Sequence, residues 1–144
     1  MRKWVVLLCL LFLCGCGKGS MTHDNLDMEQ ALIDMAAEMR EKGIGSMMDE
    51  QNQGTEKIKQ NFGLSLTEED YAYLCSIRQD VWQEAVIFHC NDENWSIIKE
   101  SAQLRMQAAL QQGIPASLGT CGNYLYLLIG NQAQWMRTYM EGLS

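Results

Sequence analysis

Two short runs in the second half of the chain, Ala85–Cys90 and Tyr124–Ile129, are almost wholly apolar. Six residues are too few for a stable isolated helix and of ordinary length for a strand. Because a strand sends alternate side chains to opposite faces, the near-continuous apolarity of Ala85–Cys90 describes a central strand buried on both sides. Tyr124–Ile129 reads as a second strongly apolar strand, preceded by turn chemistry at Cys121-Gly122-Asn123. Tyr71–Ile77 alternates Tyr71, Tyr73, Cys75 and Ile77 with Ala72, Leu74 and Ser76, which gives a third strand, and a weak edge strand fits Ala116–Thr120.

The remaining periodicity is helical. From Asp27 to Lys42 the apolar residues Met28, Ala31, Leu32, Met35, Ala36 and Met39 recur at three and four, with Asp27 placed as an N-cap and Gly43-Ile44 as a left-handed C-cap. Ile44 to Gly54 has no period and reads as a loop. Thr55 then caps a short helix carrying Ile58 and Phe62, stopped by Gly63. Thr67-Glu68-Glu69-Asp70 has the form of a capping box for a single turn. Asn91 caps a long helix whose core side holds Trp95, Ile98, Ala102, Met106 and Ala109, ended by Gly113 and Pro115. Asn131 caps the last helix, with Trp135, Met136 and Tyr139. Asn91 and Trp95 echo Asn131 and Trp135 at an offset of forty residues, each pair just after an apolar strand, which suggests two strand-to-helix units on one plan.

The first residues carry an address. Arg2 and Lys3 precede an unbroken apolar run from Trp4 to Cys14, the order of a secretory signal peptide. As a helix the run would rise about 16 Å, roughly half of a ~30 Å hydrocarbon layer, so it does not form a lasting span. Leu13-Cys14-Gly15-Cys16 resembles the bacterial lipobox, with a leucine three before the modified cysteine and a small residue just before it; Cys14 stands where another small residue is usual. The expectation is a signal peptide over residues 1–15, lipidation of Cys16, a flexible tether over 16–25, and one domain over 26–143. Acyl chains on Cys16, a palmitate-type anchor, would hold the protein on the extracytoplasmic face of the cell membrane, two chains being needed for stable attachment.

Loss of Arg2 and Lys3 leaves nine of eleven basic residues against eighteen acidic ones, a formal charge of −9. Such a chain lacks the electrostatic attraction that binders of nucleic acid and of anionic lipid depend on, so the lipid alone provides membrane attachment. With Cys16 acylated, Cys75, Cys90 and Cys121 remain, an odd set that allows at most one disulfide, and Cys75 with Cys90 pair only if their strands align. None has C-x-x-C spacing, which gives no sign of a redox dithiol or a zinc knuckle.

Constellations for chemistry are sparse. His23 falls in the tether; His89 is the one histidine placed to activate a thiol, at Cys90 or Cys121, but adjacent strand residues point to opposite faces, which disfavours Cys90. Met28, Met35 and Met39, with Met47 and Met48 nearby, form either a soft-metal set or the core stripe of a helix, and helical spacing favours the core. Glu68, Glu69 and Asp70, and Asp92 with Glu93, sit at helix starts, where they complement the dipole rather than bind Ca²⁺. No Gly-rich phosphate loop is present. The expectation is therefore no catalytic, cofactor or metal residue, with lipidation at Cys16 as the one assigned site.

Taken with the leader, several segments resemble a family of small lipoproteins of Gram-positive bacteria, domain of unknown function 4358: Phe62-Gly63-Leu64, Thr67 to Tyr73, Glu84 before Val86-Ile87-Phe88, and Gly122-Asn123-Tyr124. The resemblance spans about Asp27 to Leu143, with Gln112 to Gly119 shorter than the family pattern. It implies envelope attachment and a compact α+β domain, and no activity or functional residue. The fold expected is α+β, a small, mostly antiparallel sheet of three or four strands with helices on one face. Tyr71, Tyr73, Tyr124 and Tyr126 are candidates to line the other face and bind a peptide or glycan. The function expected is a non-catalytic binding or accessory module; the alternatives are a small envelope enzyme with a thiol at Cys90 or Cys121, or a structural subunit of an envelope complex.

Overall fold

The computed structural model describes residues 25–45, 54–76, 78 and 80–143. Cys16 with its leader, His23, Met47, Met48 and Ile77 lie outside the described residues. Four helices and four strands follow in the order α1 (Met28–Glu41), α2 (Gly54–Phe62), β1 (Tyr71–Cys75), β2 (Glu84–His89), α3 (Trp95–Gln111), β3 (Ala116–Cys121), β4 (Tyr124–Ile129) and α4 (Ala133–Gly142).

The strands form one sheet in the order β1-β2-β4-β3, with every neighbouring pair antiparallel. The two apolar runs are its two central strands, and the strand over Ala116 lies at an edge, as expected. Chain-adjacent β1–β2 and β3–β4 are hairpins. By the same pairings β2 and β3 run parallel with β4 between them, so α3 makes the crossover of a split β-α-β unit.

Local chemistry explains where the helices stop. Asp27 accepts a hydrogen bond from Gln30 N at 3.0 Å and caps α1. At its other end Gly43 takes φ +64 while Ile44 N reaches Met39 O at 3.1 Å and Gly43 N reaches Arg40 O at 3.1 Å, a Schellman ending. Gly113, φ +75, closes α3 the same way through Ile114 N to Ala109 O, and Pro115 follows. The start of α3 is later than Asn91. Asn91 Oδ1 accepts from Glu93 N and Asn94 N, both at 2.9 Å, and caps a turn that leads into the helix at Trp95.

The main departure concerns the helix layers. Helices cover both faces of the sheet, not one. On one face α1 and α4 pack against Ala72, Leu74, Ala85, Ile87, Tyr126 and Leu128; on the other α2 and α3 pack against Tyr71, Tyr73, Val86, Phe88, Leu125, Leu127 and Ile129. The molecule is a three-layer α+β sandwich, and strands buried on both faces require this. The forty-residue echo divides accordingly: Trp95 packs with the α2/α3 layer, whereas Trp135 packs with the α1/α4 layer and stacks on Tyr139 at 5.7 Å.

Candidate functional site

The four tyrosines do not share a face. The register places Tyr73 opposite Val86 and Val86 opposite Leu127, one step from Tyr126, so Tyr71 and Tyr73 point to α2/α3 while Tyr124 and Tyr126 point to α1/α4. All four are buried. They are core, and no open aromatic sheet face exists among them.

His89, Tyr124 and Cys121 lie in one row across β2, β4 and β3. The imidazole packs on the Tyr124 ring at 5.2 Å, with the tyrosine strand interposed before Cys121. Two strand spacings amount to roughly 10 Å, beyond proton-transfer reach. Cys90 points to the other layer, where burial pushes its thiol up to about 11; burial also raises Cys121. Both thiols are held protonated at neutral pH, which is the opposite of an activated nucleophile. No disulfide joins Cys75, Cys90 and Cys121. Met35 and Met39 are fully buried with Met28 packed beside them, as core. Asp70 Oδ2 accepts from Thr67 N at 3.0 Å and Thr67 Oγ1 at 2.7 Å, so this acid closes a turn. Among the described residues no cluster of histidine, cysteine and carboxylate ligands suits a metal ion.

The chemistry that the structure does assemble was missed from the sequence. Glu84 opens β2 and is 2 % exposed, a carboxylate in the core. Arg105, one turn past Ala102 on α3, reaches it with Nε to Oε1 and Nη2 to Oε2, both at 2.6 Å, while Nη1 donates to Asn61 O at 3.3 Å. Trp82 Nε1 donates to Glu84 Oε2 at 3.0 Å. The guanidinium lies 5.2 Å from the Phe62 ring centroid and 5.0 Å from that of Trp82, within cation–π range of both. Burial alone would lower the Arg105 pKa; the hydrogen bonds and charge of Glu84 more than reverse this. Nearby, Tyr73 Oη accepts from Asn61 Nδ2 at 3.0 Å, and burial with the Glu84 charge holds its hydroxyl far above the usual range. The missed signal was positional. Ile98, Ala102, Arg105 and Ala109 follow the spacing of a buried helical stripe, and a cation on that stripe needs a buried anion.

Outside this cluster opens a groove of about 500 Å³ lined by Asp80, Val81, Trp82, Arg105, Gln112 and Ile114. A smaller hollow of about 280 Å³ lies at the other end of the sheet, beside Cys90, Asn91, Asp92, Trp95, Gly122 and Asn123. The two hollows are separated by the length of the strands: Glu84 pairs with Ile129 at the groove end, and His89 pairs with Tyr124 at the other. The described chain begins at this second end, where Leu26 N donates to Tyr124 Oη at 3.1 Å. The chain matches no family model, no curated protein and no solved structure.

Proposed function

We propose that the protein is exported, lipidated on Cys16 and held at the extracytoplasmic face of the cell membrane, where its single domain acts as a non-catalytic binding or accessory module. The observation that carries this is Leu13-Cys14-Gly15-Cys16 directly after a basic start and an apolar run. The resemblance to domain of unknown function 4358 rests on the sequence segments alone, no family model matching the chain, and it implies that same address and no activity. Among the described residues no helix is long and apolar enough to cross a membrane. Protonated, buried thiols at Cys90 and Cys121 weigh against the thiol enzyme.

Fractionation tests the anchor. A Cys16→Ser variant is expected to leave the membrane fraction and lose incorporation of labelled palmitate; a variant that stays bound, while Cys14→Ser is released, moves the site and breaks the assignment. Iodoacetamide supplies the control on chemistry. Slow labelling of Cys90 and Cys121 at neutral pH is expected in the folded protein, and fast selective labelling of either revives the enzyme.

A further inference from the structure

We propose that the groove beside Trp82 binds an uncharged saccharide, and so is the ligand site of the binding module described above, on which reading this inference rests. The lining decides the ligand class. Arg105 is the cation of the groove, but its Nε and one N–H of each terminal nitrogen are committed to Glu84 and to Asn61 O, which fixes the guanidinium against the buried carboxylate. Its charge is matched by a buried carboxylate, so no net positive field remains there to hold phosphate or sulfate. Asp80 on the rim is held through both oxygens by Arg78, so its charge is matched and draws neither an anion nor a cation into the groove, and the acidic chain as a whole repels an anion. An oily ligand fits no better, because Asp80, Gln112 and Arg105 interleave with Val81, Trp82 and Ile114 along an open groove.

What remains is a neutral ligand with apolar faces and many hydroxyl or amide groups. Asp80 is exposed, and its two oxygens, each accepting from Arg78, keep further lone pairs for a ligand hydroxyl; Gln112 is exposed and offers an amide that both donates and accepts. The Trp82 indole is half-buried with one face under the Arg105 guanidinium, and the part of it that lines the groove gives an apolar surface for the C–H face of a pyranose. That surface is fixed before any ligand arrives. Its Nε1–H is tied to Glu84 and the Arg105 guanidinium lies over the ring, so little ordering cost is left for binding. The groove's 500 Å³ falls within the ~300–1,000 Å³ typical of small-ligand sites.

Its position suits the proposed anchor as well. The chain leaves toward Cys16 from the Tyr124 end of the sheet, and Trp82 and Ile114 lie just beyond the Glu84 and Ala116 end. Strands of this length span about 17–20 Å. The nine residue steps from Cys16 to Asn25 reach at most ~30 Å. The chain toward Cys16 therefore departs from the end of the sheet opposite the groove, and a tether of this reach lets the groove stand clear of the bilayer.

The test is a titration of the full-length lipidated protein in neutral detergent with tetra-N-acetylchitotetraose, followed by calorimetry and by tryptophan fluorescence. Saturable binding is expected, weakened at least about tenfold in Asp80→Ala/Gln112→Ala, whose two exposed positions put the fold at little risk. The proposal is overturned by an absence of saturable binding, by binding that the double substitution leaves unchanged, or by stronger binding of poly(glycerol phosphate) or an alanine-rich peptide. Membrane fractionation of Cys16→Ser, run in parallel, separates the two readings: a variant that stays in the membrane breaks the anchor but not the groove, and a failed titration with a released variant does the reverse.

Discussion

On the α1/α4 face the strands present Ala72 and Ala85 to helices carrying Met35, Met39, Met136 and Met140, with Ala31, Ala36 and Ala133 between them. On the α2/α3 face they present Tyr73, Val86, Phe88 and Ile129 to Phe62, Ile58 and Ile98. The first layer sets four thioethers and several alanines among branched and aromatic groups such as Ile87, Leu128 and Tyr126. The other is filled by rigid groups in fixed geometry: Phe62 meets Phe88 edge-on at 5.3 Å and Tyr73 at 6.4 Å, and Arg105 is clamped beneath the same ring. Thioether packing adapts to irregular gaps, whereas aromatic pairs and a bidentate ion pair hold one arrangement. The candidate ligand groove opens on the rigid layer, where preorganisation is available.

The hardest way to break this contrast is through the ion pair. Arg105→Met leaves the Glu84 carboxylate, 2 % exposed, without its partner, and is expected to cost about 3–5 kcal/mol in urea unfolding. The double variant Glu84→Leu/Arg105→Met should recover most of that loss, because two well-packed apolar groups replace the pair. A cost below about 1 kcal/mol for the single variant would show that the pair is solvated, and the rigid layer would lose its central element.

How much of this was legible depends on what each signal encodes. Strand runs and helix caps are local, so Ala85–Cys90, Tyr124–Ile129, Asp27 and the Gly43 and Gly113 endings were readable from residues a few positions apart. A helical stripe says that one side of the helix is buried but not which side of the sheet covers it, and for that reason the second helix layer was not seen. Tyrosine parity has the same limit. Tyr71 and Tyr73 share a face within β1, as Tyr124 and Tyr126 do within β4, but their relation depends on pairing register through β2. The site was least legible of all, because Glu84 and Arg105 are joined only by the packing of α3 on β2.

Gly119 is where the adaptable layer stops adapting. The Tyr126 ring lies over it across the β3–β4 pair, so that an added Cβ would come within 2.3 Å of both Cζ and Oη. Gly119→Ala is expected to cost about 1–3 kcal/mol, since the ring must move and Tyr126 is 2 % exposed. In a double-mutant cycle Tyr126→Leu should absorb much of this cost, giving a coupling between the two sites. Additive costs would mean that the ring moves freely, and this layer would then be loose throughout.

The smallest effect gives the most direct comparison of the two layers. Met35→Leu, at a fully buried position of α1, nearly conserves volume in a cluster that also holds Met39, Met136 and Met140, so about 1.5 kcal/mol is the upper bound expected. Phe88→Leu, at an equally buried position of β2, removes a ring from the edge-on pair with Phe62 and leaves a space where that ring stood. Its cost should exceed that of Met35→Leu when both are measured by chemical denaturation under one set of conditions. If the order is reversed, the difference in composition between the layers carries no difference in rigidity, and the groove loses its argument from preorganisation.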